Sequence, residues 1–85
     1  MIGAIAKKVT IIQKSEEIIS YLLDPLKIET VYIPKGITKI GMNAFRNTSI
    51  ATVYYEGTES QWRDIIIEEG NDELLNARIV YNYIE

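Results

Sequence analysis

The sequence predicts an α+β chain in which an amino-terminal amphipathic helix precedes a run of short strands and turns. The helix rests on Ile2, Ile5, Val9, Ile12, Glu16, Ile19 and Leu23, which recur at alternating spacings of three and four and therefore share one helical face. The strands rest on a change of period after Pro25, where apolar residues begin to alternate with polar ones and Gly punctuates the pattern.

With 85 residues, the chain is one domain with one small core, a size at which only about 60–65% of the unfolded surface is buried. It contains no His and no Cys, so it has no imidazole base, thiolate, Cys/His zinc site or disulfide. A non-enzyme without cofactor or metal is expected. The net charge of −3 and a pI near 4.9 lack the basic surface that phosphate contacts require, which argues against a nucleic-acid partner. No stretch reaches the roughly 20 apolar residues of a membrane span. Lys7 and Lys8 follow a short apolar run rather than precede one, unlike a secretory signal, so the expectation is a cytoplasmic chain.

In chain order, the stripe over Ile2 to Leu23 predicts a helix that Asp24-Pro25 stops, because the residue before proline leaves the helical region. The β-branched run Val9-Thr10-Ile11-Ile12, with Ser15-Glu16-Glu17 behind it, supports an alternative: a strand over 8–12 and a short helix over 16–23. Thr30-Val31-Tyr32-Ile33-Pro34-Lys35-Gly36 then returns 22 residues later as Thr52-Val53-Tyr54-Tyr55-Glu56-Gly57-Thr58, a period within the leucine-rich-repeat range. Alternation turns Val31, Ile33, Val53 and Tyr55 inward and leaves Tyr32 and Tyr54 facing out together. Between the copies, Ile37, Ile40, Ala44, Phe45 and Ile50 predict a return segment, with Gly41 at a tight point. Thr58-Glu59-Ser60-Gln61 reads as a capping box opening a short helix with Trp62 and Ile65. Asn71-Asp72-Glu73 reads as a second helix start, and Arg78 to Tyr83 as a terminal strand with Ile79, Tyr81 and Tyr83 on one face.

Val31-x-Ile33-Pro34-x-Gly36-Ile37-Thr38-x-Ile40-Gly41-x-x-Ala44-Phe45, followed by Tyr54-Tyr55-x-Gly57-Thr58-x-x-Gln61-Trp62-x-x-Ile65-x-Ile67, Gly70-Asn71, Leu74 and Ala77-x-Ile79-x-Tyr81-x-Tyr83, resembles the BspA-type leucine-rich repeat and its terminal cap. The resemblance covers roughly two thirds of the chain. It implies a minimal right-handed leucine-rich-repeat solenoid with short strands and a C-terminal cap over residues 28–85, behind a helical cap or oligomerisation segment over 1–27. It also implies binding of proteins or cell surfaces without chemistry, in a bacterial or bacteriophage setting. Where the family often has Cys, this chain has Asn47-Thr48. A single repeat exposes an apolar end, which the helix residues Ile2, Ile5, Val9, Ile12, Ile19 and Leu23 either cover within one chain or bury between two or three chains.

Candidate chemistry is weak. Glu68, Glu69, Asp72 and Glu73 lack calcium-loop spacing and read as a solvated turn. Glu16 and Glu17 diverge on a helix, and Ser15, Ser20, Ser49 and Ser60 have no His to activate them. Trp62 reads as a packed cap residue, with an interface anchor as the alternative. The candidate protein-binding residues are Thr30, Tyr32, Thr52, Tyr54 and Glu56. Outward tyrosines supply contact area to a partner, or else stabilise only each other as a cross-strand pair. The partner is a protein, self or host. The function expected is a non-catalytic interaction module, with a self-assembling virion component and an acidic inhibitor of a host defence protein as competing readings.

Overall fold

A computed structural model describes residues 16–24 and 27–84, and the backbone of 8–10. It contains two parallel sheets. The first comprises β1 (Lys8–Thr10), β3 (Thr30–Ile33), β5 (Thr52–Tyr55) and β7 (Arg78–Val80), in the order β1-β3-β5-β7. The second comprises β2 (Glu17–Ile18), β4 (Lys39–Ile40) and β6 (Ile66–Ile67), in the order β2-β4-β6. The chain visits the sheets alternately, with α1 (Glu59–Arg63) and α2 (Asp72–Leu75) placed on either side of β6.

The expected fold class is corrected by this arrangement. Within the span expected to be an amphipathic helix, residues 8–10 and 17–18 are strands, one in each sheet, and the described strands form two separate sheets without closing into a solenoid. β1 pairs with β3 as Lys8↔Thr30, Val9↔Val31 and Thr10↔Tyr32, and β2 pairs with β4 as Glu17↔Lys39 and Ile18↔Ile40. The short helix over 16–23 is overturned as well, because Glu17–Ile18 is a strand followed by turns. The physical reason is that β-branched residues fit a pleated surface and lose little there. Hydrogen bonds from an existing strand then outweigh a helical periodicity that is only a local preference.

The described members of the proposed helix stripe do not lie on one helix. Val9 lies in β1, Ile19 is exposed just beyond β2, and Leu23 is buried. Ile2, Ile5 and Ile12 fall outside the described residues.

Inward alternation follows the expected phase. Val31, Ile33, Val53 and Tyr55 are buried, and Ile37, Ile40, Ala44, Phe45 and Ile50 of the return segment join them in one core with Ile18 of β2 and Leu74 of α2. The second sheet is held by main-chain bonds across the turns, including Gly41 N–H to the Ile18 carbonyl at 2.6 Å and Glu68 N–H to the Ile40 carbonyl at 3.0 Å. Gly41 is needed for space: a Cβ there would lie 2.6 Å from the Ser20 backbone nitrogen. Asn43 and Asn47 take left-handed backbone, with φ of 59° and 60°, which Asn tolerates better than most residues. Thr48 is buried and donates its hydroxyl to the Phe45 carbonyl at 2.7 Å, so this polar side chain is satisfied inside the core.

The capping box forms, with Gln61 N–H donating to Thr58 Oγ1 and Thr58 N–H to Gln61 Oε1. Ile65 lies beyond the helix and is buried. Asn71 precedes α2 as expected, but its side chain bonds across to the neighbouring turn and does not cap its own helix. Among the described residues, no helix is long and apolar enough to cross a membrane.

Candidate protein-interaction face

Parallel pairing with a 22-residue offset brings like residues together, Thr30 beside Thr52 and Tyr32 beside Tyr54. All four alternate with the buried positions and so lie on the outer face of the first sheet, half-buried. The rings of Tyr32 and Tyr54 stack with centroids 5.1 Å apart and planes 16° from parallel.

A third ring completes the cluster. Tyr83 sits 5.3 Å from Tyr32 and 4.7 Å from Tyr54, tilted by 43° and 47°, within the range where aromatic pairs attract. This corrects the expected terminal strand, which ends at Val80. Asn82 takes a φ of 57°, its N–H donates to the Gly57 carbonyl at 2.8 Å, and Tyr83 N–H donates to the Tyr55 carbonyl at 2.9 Å. The chain thereby folds back beside β5 and sets Tyr83 on the outer face, while Ile79 and Tyr81 pack against the core. The signal available in the sequence was Asn82 itself, a residue suited to left-handed backbone that interrupts the alternation.

Glu56 is exposed just past the end of β5, and its Oε1 accepts the backbone N–H of Lys35 at 3.1 Å. The five residues proposed for protein binding thus border one surface: two threonines at one side, the tyrosines at the centre and Glu56 at the far rim. Trp62 is half-buried and meets Tyr55 edge to face at 5.0 Å and 66°, so it packs on the core beneath this surface.

The acidic turn is engaged structurally. Glu68 accepts the Met42 N–H at 3.2 Å and pairs with Lys39 at 3.7 Å, and Glu73 accepts the Asn47 N–H at 2.9 Å. These carboxylates accept exposed amides of the adjacent turn. Among the described residues, no group of three or more acidic side chains is arranged to hold a metal ion.

Comparison with family models, with curated proteins and with solved structures returned no match.

Proposed function

We propose that the chain is a non-catalytic protein-interaction module that recognises a protein partner through the face centred on Tyr32, Tyr54 and Tyr83. The observation that carries this reading is the three-ring cluster on an outer sheet face. The rings are held by one another and by strand pairing, so little side-chain freedom is lost when a partner covers them. Tyrosine combines apolar area with a hydroxyl, the chemistry favoured at the centre of interfaces. Thr30, Thr52 and Glu56 supply the polar rim. The resemblance of residues 28–83 to the BspA-type repeat points the same way, and a cysteine-free sequence suits a reducing, cytoplasmic setting.

The test compares wild type with Tyr32→Ala/Tyr54→Ala as immobilised bait for bacterial proteins, with quantitative mass spectrometry as the readout and circular dichroism as the fold control. A partner retained by wild type should fall by at least about tenfold on the double variant, the effect of losing about 1.4 kcal/mol. Equal retention by a folded double variant would remove this face from the binding surface.

A further inference from the structure

The turn after β3, the end of β5 and the end of α1 border an open pocket of about 180 Å³ lined by Lys35, Ile37, Thr38, Tyr55, Gln61, Asp64 and Ile65. That volume is well below the roughly 300–1,000 Å³ of sites for drug-sized ligands, and it suits a single extended side chain. Its walls are apolar where Ile37, Ile65 and the Tyr55 ring line it, all three buried.

Among its polar groups, Asp64 and Thr38 offer acceptor oxygens, whereas Lys35 is a donor and Gln61 Oε1 is occupied by the Thr58 N–H. Among the described residues, Asp64 makes no salt bridge: the neighbouring Arg63 pairs with Glu59 at 2.8 Å and Lys39 pairs with Glu68. The Thr38 hydroxyl donates its proton to the Glu16 carbonyl at 3.3 Å, which leaves its oxygen lone pairs to receive a donor. Lys35 stands at the exposed rim, and its backbone N–H donates to the carboxylate of Glu56, which is not among the lining residues. Burial, with Asp64 and then Glu56 adding to it, raises the Tyr55 phenol above its ordinary value.

We propose that this pocket receives an arginine side chain of the protein partner, its methylenes against Ile37 and Ile65 and its guanidinium on Asp64. Apolar walls below a carboxylate match a long cationic side chain, whose stem buries while its head stays paired. Arginine fits better than lysine because its planar head presents five donors to several acceptors. The identity of the occupant as part of a protein rests on the function proposed above; the chemistry of the pocket does not.

The probe is N-acetyl-arginine amide, titrated into the full chain and followed by amide NMR, with N-acetyl-norleucine amide as the uncharged control. Saturable shifts at Thr38, Gln61 and Asp64 are expected with the arginine probe and none with the control. Asp64→Asn should weaken the response at least about tenfold and Lys35→Ala, at the exposed rim, should strengthen it. Tyr32→Ala/Tyr54→Ala should titrate like wild type, so failure of the tyrosine face and failure of the pocket are read separately. No saturable shift at the solubility limit of the probe, an equal response to norleucine, or a response unchanged by both Asp64→Asn and Lys35→Ala would overturn the proposal.

Discussion

The side-chain oxygen of Asn71 accepts the backbone N–H of Phe45 at 2.9 Å across 26 residues of sequence. The same side chain donates to the carbonyls of Gly41 at 3.0 Å and Glu68 at 2.8 Å. At 1% exposure Asn71 is a core residue with its side-chain oxygen and amide nitrogen both bonded, and it fastens the turn over 41–45 to the turn over 68–71. Removing it leaves a buried amide without a partner, at about 1–3 kcal/mol per orphaned group. Asn71→Ala should therefore lower the unfolding free energy by about 2–4 kcal/mol. Asn71→Asp should also destabilise, because it keeps the acceptor for Phe45 but loses the donors. Urea denaturation of both variants checks this; a midpoint like wild type for Asn71→Ala would show that water replaces the side chain.

Two glycines are expected to respond oppositely to the same substitution. A Cβ at Gly41 meets the Ser20 nitrogen at 2.6 Å and the Ile19 carbonyl carbon at 3.0 Å, whereas one at Gly36 meets nothing within 4 Å. Gly41→Ala should destabilise by about 2 kcal/mol or more through this clash with backbone. Gly36→Ala should stabilise by about 0.4–1 kcal/mol by restricting the unfolded chain. Paired denaturation curves decide it, and a neutral Gly41→Ala would mean that the two turns can separate at little cost.

Tyr21 occupies left-handed backbone, with a φ of 61°, in the turn that precedes the turn of Asn43 at 59°. The matching main-chain bonds, Tyr21 N–H to the Met42 carbonyl and Asn43 N–H to the Glu69 carbonyl, show the two residues in equivalent places. Tyrosine is strained there, and the residue is 51% exposed, which limits the packing lost on replacement. Tyr21→Asn should raise stability by about 0.5–1 kcal/mol. A lowered melting temperature would show that contacts of the Tyr21 ring outweigh the strain.

Tyr55 is buried beside Asp64 and Glu56, and burial first, then those charges, raise its phenol above the ordinary value of 10.0. The folded state then holds the proton more tightly than the unfolded state. This contribution is fully present below the unfolded value and is lost as the pH rises through the folded one. Stability should fall at alkaline pH, and Tyr55→Phe should flatten the fall. Denaturation of both proteins at about pH 8 and about pH 11 measures the difference. Parallel losses in the two would assign the alkaline effect to other groups.

Much of the tyrosine face is legible in the sequence, because alternation along Thr30–Ile33 and Thr52–Tyr55 is local and the offset between the copies predicts which residues become neighbours. Val31 and Ile33 buried beside Val53 and Tyr55 follow from that pattern, as does the stacking of Tyr32 on Tyr54. The pocket was not legible. Ile37, Tyr55 and Asp64 are brought together by turns whose geometry depends on Gly57, where a Cβ would press on Gln61 Oε1 and the Tyr55 ring, and no periodicity encodes that approach.

The sequence by itself determined which face each residue of β3 and β5 takes, and where α1 begins, since side-chain alternation and a capping box act within a few residues. Only the tertiary structure decided that residues 8–10 and 17–18 are strands and that Tyr83 joins Tyr32 and Tyr54. An isolated segment with β-branched residues at helical spacing is near balance between helix and strand. Parallel hydrogen bonds to β3 and β4, contributed by residues about 22 positions away, tip that balance. Tyr83 is placed in the same way, by its N–H on the Tyr55 carbonyl, a bond that exists only once the strands are side by side.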